Sequence, residues 1–267
     1  MTVQPSIVYR ESTPPEELAS FLVCFWQFTM KADGGQPYLH HVPPDGCTSL
    51  IVRYGGDGGP PLTILFGPQL EPHQVSVGQG DRFFGCRFQP QAAGNLLGLA
   101  APSLTNVSEP AGFRLPKLVA WLAEHLPAQP HAETVHQALT TVLASRLESA
   151  TPVDPLASAA VREIVRTGGD CSITGLARAV GLSVRHLQRR FRNAVGISPK
   201  QFCRIRRFRS AAAELLRVSP RSWINVAYEY GFSDQAHLAR EFSQLIGLTA
   251  QELRQRYETI EHIDVDP

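Results

Sequence analysis

Residues 181–199, GLSVRHLQRRFRNAVGISP, are the stretch from which the fold can be worked out. Polar side chains recur there at the i, i+3, i+4, i+7 spacing of one helical face: Arg185, Gln188, Arg189 and Arg192. Val184, Leu187 and Phe191 fall on the opposite face. Arginine and glutamine on an exposed face after a glycine-containing turn are the side chains that read guanine and adenine in a DNA major groove. The stretch predicts a recognition helix, and by itself it leaves a solvated surface helix as the alternative.

The composition favours a globular protein of two domains. The chain has 267 residues, of which 43% are hydrophobic and 18% are charged. Because it has neither a membrane-length apolar run nor the basic-then-apolar order of a secretory signal, we expect a cytoplasmic protein without membrane contact. The five cysteines are widely spread without a CxxC pair, which argues against a disulfide framework or a cysteine-rich zinc module.

The net charge of +1 conceals an uneven distribution. Residues 1–150 contain 8 basic and 12 acidic side chains, whereas residues 151–267 contain 17 and 12. Within residues 170–257 the counts are 15 and 6, and all of these basic side chains except Lys200 are arginines. This clustering predicts that the C-terminal half binds a polyanion.

The first 150 residues predict an α+β domain. Short β-rich runs separated by turn residues favour an antiparallel sheet or a small barrel: CFWQFTM (24–30), TSLIVRY (48–54), LTILFGP (62–68), HQVSVGQ (73–79) and DRFFGCRF (81–88). Apolar stripes predict helices over 14–23, 90–100, 115–126 and 131–149. TPVDP at 151–155 is the expected linker, because its two prolines interrupt a helix.

From Asp154 onward the sequence predicts helices alone. Asp154, Ser172 and Ser183 are each placed to cap a helix N-terminus. Ser198 and Pro199 begin a long helix that is expected to extend to residue 218. Thr249 with Glu252 is a capping box for a final helix.

An internal repeat relates residues 176–199 to residues 226–250. Ala177 matches Ala227 and Gly181 matches Gly231 at the same interval, and after one inserted residue Phe191 matches Phe242 and Gly196 matches Gly247. Small alanines allow close helix approach, and glycine allows the backbone angles of a tight turn. Each copy therefore predicts a helix-turn-helix unit, and the long helix joins the two.

Residues 155–257 resemble the AraC/XylS family of bacterial transcription regulators. The resemblance is carried by LARAVGLSVRHLQRRF, RIRRFRSAAAELL and INVAYEYGFSDQAHLAREF. It implies an all-α double helix-turn-helix domain over 156–267 that binds double-stranded DNA in adjacent major-groove segments. It also implies a sequence-specific transcription regulator rather than an enzyme, with RNA polymerase as a partner if the protein is an activator.

Family positions carried onto this chain imply two classes of DNA contact. The base-reading residues are Arg185, Gln188 and Arg189 in the first unit and Gln235, His237 and Arg240 in the second. The arginines implied to neutralise phosphates are Arg192, Arg204, Arg206, Arg207 and Arg209. Ala250 replaces the usual proline of the last helix and Ala236 replaces an often polar residue, so we expect the second unit to read fewer bases.

The first domain resembles an uncharacterised N-terminal domain of one family subgroup, through HHVPPDGCTSLIV, LFGPQ and GCRFQPQAAGNLLG. The resemblance implies an effector or dimerisation domain over 1–150 and supplies no cofactor. A small-molecule effector is one possibility, with Trp26, Phe66, Phe84 and Phe88 as wall residues, although aromatic strand residues are more often core. A homodimer through the helical pair is another.

A metal or thiol sensor is a further alternative. The residue types for it are His40, His41, Asp45, Cys47, His73 and Cys86, although no spacing matches a known site. The enzyme alternative is an alkyl-acceptor repair protein that uses Cys47 or Cys86, but no activated-thiol arrangement accompanies either cysteine.

Overall fold

The computed structural model describes residues 6–31, 37–216, 222–257 and 260–261. Within these ranges the strands are β1 (Ser6–Ser12), β2 (Leu22–Lys31), β3 (Tyr38–Val42), β4 (Ser49–Tyr54), β5 (Leu62–Phe66), β6 (His73–Val77), β7 (Arg82–Phe88), β8 (Ser108–Pro110) and β9 (Ile260–Glu261). The helices are α1 (Ala93–Leu97), α2 (Pro116–His125), α3 (Ala132–Ala144), α4 (Pro155–Arg166), α5 (Ile173–Ala179), α6 (Val184–Val195), α7 (Pro199–Leu215), α8 (Trp223–Glu229), α9 (Gln235–Ile246) and α10 (Ala250–Tyr257). The predicted α+β class is confirmed.

Seven strands of the described chain form one sheet in the order β8-β5-β4-β7-β2-β1-β9, and β3 pairs with β6 in a separate ribbon. All neighbours are antiparallel except β1 and β9, which run parallel. The sequence did not predict β1, β3, β8 or β9. The expectation of helices alone after Asp154 was wrong at Ile260–Glu261, because these residues pair with β1 at the edge of the large sheet. The helix predicted over 14–23 was wrong: only Glu16–Leu18 form a short 3-10 turn, because the chain enters β2 at Leu22.

The two faces of the large sheet have different coverings. Side chains alternate along a strand, so Phe25, Leu50 and Phe84 lie on the face that packs against α1, α2 and α3. Trp26 and Phe83 lie on the opposite face, towards the β3–β6 ribbon. The first domain therefore has an apolar core on one side of the sheet and a smaller aromatic cluster on the other.

The C-terminal helices pack around α7. Its apolar stripe, which includes Phe202 and Phe208, belongs to one buried core with both copies of the repeat. The predicted caps are confirmed, since Asp154, Ser172 and Ser183 each accept a backbone N–H of the following helix. The last two residues of the long helix prediction, 217–218, lie outside the described residues. No helix in the described ranges is both long and apolar enough to traverse a lipid bilayer.

Candidate nucleic-acid interface

The two repeat units have equivalent turns. Gly181 and Gly231 have φ values of 68° and 70°, which lie in the left-handed region that favours glycine. Ser183 then accepts the His186 N–H at the start of α6, and Asp234 accepts the His237 N–H at the start of α9. Each unit is thus a helix, a glycine turn and a capped second helix, as the repeat predicted.

The polar face of α6 is open to solvent along its length. Arg185, Gln188, Arg189 and Arg192 are all exposed. Among the residues that the structure describes, none of these four side chains makes a hydrogen bond or an ion pair. Leu187 and Phe191 on the other face are fully buried, so packing fixes the orientation of the helix while its polar face remains available.

Arg190 of α6 has a different environment from its neighbour Arg189. Its guanidinium forms a two-pronged ion pair with Asp154, with Nε 2.9 Å from Oδ2 and the second nitrogen 3.1 Å from Oδ1. The same carboxylate caps α4. Arg190 therefore joins α6 to α4, which explains why only part of the arginine cluster is free.

On α9 the predicted base-reading residues differ in availability. Gln235 and Arg240 are exposed. The His237 ring is half-buried, its Nδ1 lies 3.3 Å from the Ser233 backbone nitrogen, and it packs edge-on against Phe232. The imidazole therefore already has partners within its own unit.

The α10 helix begins at Ala250, where the family resemblance expected proline. The Glu252 carboxylate accepts the Thr249 N–H at 2.7 Å, and the Thr249 hydroxyl accepts the Glu252 N–H at 3.2 Å. This reciprocal cap supplies the helix start without proline.

The arginines of α7 are half-buried. Arg204 pairs with Glu241 of α9 at 2.6 Å, and the Arg207 guanidinium lies over the Phe232 ring and donates to the Gly231 carbonyl oxygen at 3.0 Å. Both side chains therefore connect the long helix to the second unit.

Arg206 and Arg209 point towards the first domain. Burial, and then the neighbouring Arg209, lower the pKa of Arg206, which is also within electrostatic range of Asp45 and Arg87. Arg209 lines a cavity in the first domain. Of the five residues assigned to phosphates, Arg192 alone has an exposed side chain.

Contacts between the domains include the C-terminal ends of α6 and α9. The Thr105 hydroxyl donates to the Gly196 carbonyl oxygen after α6 at 3.1 Å. His41 Nδ1 lies 3.0 Å from the Ile246 carbonyl oxygen at the end of α9. The backbone at Gly46 also passes so close to Phe202 that a Cβ atom there would lie 2.6 Å from the ring. These contacts leave the N-terminal turns of α6 and α9 uncovered.

Comparisons with known proteins match the two domains separately. A helix-turn-helix domain family matches residues 176–256, and a domain of unknown function (DUF6597) matches residues 10–110. The HTH-type transcriptional regulator GlxA of Rhizobium meliloti (strain 1021) is 41% identical over 83 residues, which are 31% of this chain and 25% of that protein. The C-terminal domain is an AraC-type helix-turn-helix domain.

Two further similarities fall on the AraC-type domain. The putative HTH-type transcriptional regulator YkgA of Escherichia coli (strain K12) is 34% identical over 85 residues, which are 32% of this chain and 35% of that protein. A solved transcriptional regulator from Chromobacterium violaceum, described as an AraC-type DNA-binding domain-containing protein, is 27% identical with a TM-score of 0.36 and covers 38% of this chain and 92% of that one. The chain spans only a quarter of GlxA and about a third of YkgA. These curated relatives are transcriptional regulators, and their similarity to this chain extends over 83 to 85 residues.

A cavity of about 240 Å³ lies between the large sheet and the β3–β6 ribbon. Its apolar walls include Trp26, Phe28, Phe66 and Phe83, and Arg209 of the AraC-type domain closes part of it. Of the predicted wall residues Trp26 and Phe66 are therefore present. Phe84 and Phe88 are not, because they lie on the sheet face that packs against helices, and this part of the prediction was wrong.

One end of the cavity is polar. The Arg87 guanidinium is paired with Glu11 and with Asp45, each at 2.9 Å, and donates to the Tyr9 hydroxyl at 3.1 Å. Within the described part of the chain, the buried indole N–H of Trp26 has no hydrogen-bond acceptor. Arg209 likewise makes no hydrogen bond or ion pair with any described residue. The two cavity-lining groups without a partner, the Trp26 indole and the Arg209 guanidinium, are therefore both hydrogen-bond donors.

The structure does not bring the metal candidates together. His40 lies in the cavity wall, His41 contacts Ile246, and His73 packs against Phe66. Among the described residues, no group of three or more histidine, cysteine or acidic side chains is arranged to hold a metal ion.

The two cysteines proposed as acceptor thiols lie in protein cores. Cys47 and Cys86 are buried, and burial raises the pKa of both thiols, to about 12 for Cys86. A reactive cysteine needs an accessible thiolate. Neither position meets that requirement, so the structure gives no support to the alkyl-acceptor alternative.

Proposed function

We propose that the two recognition helices, α6 and α9, read adjacent major-groove segments of a specific DNA site. The observation that carries this is the exposed polar face of α6, whose side chains have no partner within the described protein. Arg185 and Arg189 pair with guanine, and Gln188 pairs with adenine, each with two parallel hydrogen bonds. If the arginine-rich face were only solvated, there would be no reason for the chain to carry a second capped helix of the same kind, α9.

The second helix contributes less sequence discrimination than the first. Gln235 and Arg240 are exposed and are assigned to bases, while the partners of His237 within its own unit reduce its availability. Phosphate contacts are assigned to Arg192 and to the exposed Arg178 and Lys200. The family positions carried onto this chain did not include the last two.

Selection of bound fragments from a genomic library at physiological salt tests this function. The expected result is enrichment of sites with a common motif, bound at least a thousandfold more tightly than random DNA. Recovery of fragments without a shared motif, at an affinity equal to that for random DNA, would reject a sequence-specific role.

We further propose that a small molecule in the first-domain cavity modulates DNA binding. The cavity, at about 240 Å³, exceeds the roughly 150 Å³ cavity that binds benzene, so its occupant is a substituted ring or a molecule of similar size. The Trp26 indole and Arg209 both require acceptors, and Arg209 carries a positive charge. The chemistry favours a compact amphipathic monoanion, such as a substituted aromatic carboxylate.

Arg209 is the residue through which such a ligand would contact the DNA-binding domain. It belongs to α7, which joins the two helix-turn-helix units, so a carboxylate paired with Arg209 would contact both domains at once. The ligand would hold α7 against the first domain and thereby set how the two reading helices are placed. A ligand that bound equally well whether or not α7 was held against the first domain would not shift the placement of α7. The contact of the ligand with Arg209 is therefore essential to the proposal.

A panel of monocyclic aromatic carboxylates and their methyl esters tests the ligand class. Carboxylates are expected to raise the melting temperature and to quench Trp26 fluorescence more than their esters do. Arg209→Gln should remove the preference for carboxylates, whereas Arg192→Gln, an exposed arginine remote from the cavity, should preserve it. Equal effects of acids and esters on the unaltered protein would contradict the assignment without affecting the DNA-binding proposal.

A further inference from the structure

Two cysteine sulfurs lie in contact inside the AraC-type domain. Cys171 is in the loop between α4 and α5, Cys203 is on α7, and their Sγ atoms are 3.6 Å apart. The loop is held against α7 at Gly169, where a Cβ atom would lie only 2.2 Å from the Cys203 carbonyl oxygen. A disulfide requires an S–S distance of about 2.05 Å, so the two sulfur atoms would have to approach by about 1.5 Å to form one.

The two thiols differ in access. Cys171 is half-buried and Cys203 is buried. Burial, and then the neighbouring Cys171, raise the pKa of the Cys203 thiol to about 12. An oxidant therefore reaches Cys171 first, and Cys203 is placed to react with the product.

The remaining cysteines do not compete for the oxidant. Cys24, Cys47 and Cys86 are all buried, and burial raises the pKa of each thiol above its usual range. No other pair among the five cysteines, all of which lie in the described ranges, has sulfur atoms in contact. Oxidation should be selective for a single pair.

We propose that Cys171 and Cys203 are a reversible hydroperoxide-oxidation site. The Cys171 thiolate attacks the distal oxygen of a hydroperoxide, which breaks the O–O bond and yields a Cys171 sulfenic acid and an alcohol, or water from hydrogen peroxide. The Cys203 sulfur then attacks the sulfenic sulfur, forms the disulfide and releases water, while its thiol proton leaves with the hydroxyl group. The hydroperoxide is reduced, and an external dithiol restores both thiols.

The disulfide would close a loop that contains α5 and α6. Residues between Cys171 and Cys203 include the whole first helix-turn-helix unit. Oxidation would therefore restrain the unit that carries three of the six proposed base-reading residues. The site itself does not depend on the proposed DNA-binding function.

Peptide mapping of the full chain after hydrogen peroxide treatment tests the site. The expected product joins tryptic peptides 167–178 and 201–204, has lost two hydrogen atoms, and disappears on treatment with dithiothreitol. Cys203→Ser should leave a Cys171 sulfenic acid that dimedone traps, and Cys171→Ser should leave Cys203 reduced. Cys24→Ser is the matched control and should behave as the unaltered chain.

Two results would overturn the proposal. One is a different linked pair, and the other is full alkylation of both Cys171 and Cys203 at an oxidant dose that modifies other side chains. Absence of the dimedone adduct in Cys203→Ser would reject the order of the two steps. Hydrogen exchange of α5 amides should slow on oxidation of the unaltered chain and remain unchanged in Cys171→Ser.

Discussion

Substitution of two adjacent arginines separates base reading from helix packing. Arg189 is exposed and has no partner within the described protein, whereas Arg190 is paired with Asp154. Arg189→Ala should therefore leave the fold unchanged and remove a base contact. Arg190→Ala should lose an ion pair that joins α6 to α4, with little effect on the choice of bases.

The size of the first effect follows from the contact that is lost. An arginine with two hydrogen bonds to guanine contributes about 1–3 kcal/mol of discrimination, which corresponds to a factor of about 5 to 150 in relative affinity. The loss falls on the preferred site, because random DNA offers no matched guanine at that position. For Arg190→Ala, a surface ion pair contributes little to stability, and the expected change is a small decrease in melting temperature.

Fluorescence anisotropy with the selected site and with a scrambled duplex measures both affinities under one salt condition. The dissociation constant for the scrambled duplex divided by that for the selected site should fall by a factor of about 5 to 150 for Arg189→Ala. For Arg190→Ala this ratio should stay within twofold of its value in the unaltered protein. If Arg190→Ala lowered the ratio as much as Arg189→Ala, or if Arg189→Ala weakened both duplexes equally, the orientation of α6 towards bases would be refuted.

Four other substitutions test the packing of the fold and the titration of a buried histidine. Leu187→Ala removes a fully buried side chain and should lower the free energy of unfolding by about 2–5 kcal/mol in urea denaturation. Gly169→Ala should destabilise more than Gly181→Ala, because both have left-handed φ but only Gly169 lacks room for a Cβ atom; melting temperatures compare them. Burial, and then His41 and Arg256, lower the pKa of His40 to about 4. As the pH falls, His40 is therefore protonated in the unfolded chain before it is protonated in the folded protein. Stability should fall as pH decreases from about 6.5 to 4, and His40→Gln should reduce that slope in pH-dependent melting.

The helix-turn-helix units could be predicted because their signals are local. Ser183 and Asp154 cap the helices that follow them, and Gly181 sets the turn, whatever else the chain contacts. Each of these residues acts within a few positions of itself. The repeat then supplied a second copy of the same signals, which single motifs do not provide.

The arginines of α7 show where sequence reasoning reaches its limit. Their spacing around an apolar stripe is that of a solvated helix, but the first domain and the second unit both pack on this helix. Arg204 and Arg207 meet groups more than twenty residues away in sequence, and periodicity carries no information about such partners. The phosphate roles assigned to these residues therefore remain a prediction with competing intramolecular contacts.

Only part of the cavity wall could be predicted, for a related reason. Trp26 and Phe84 are both aromatic strand residues, and only strand register places one in the cavity and the other in the helical core. The ribbon that covers the cavity includes β3, whose polar sequence YLHHV did not predict a strand. His40 lies on this strand and contacts the aromatic cluster through Phe28.

The position of the domain contacts limits how the first domain can act on DNA binding. Gly196 and Ile246, at the C-terminal ends of α6 and α9, are among the points of contact, and the side chains of α6 that are proposed to read bases stay exposed. Masking of the reading residues is therefore not available as a mechanism in this arrangement. What remains is control of α7, on which Arg206 and Arg209 repel each other beside the cavity. An anion bound there would relieve that repulsion and hold the helix that joins the two helix-turn-helix units, so the proposed ligand would act on DNA binding through the spacing of these units.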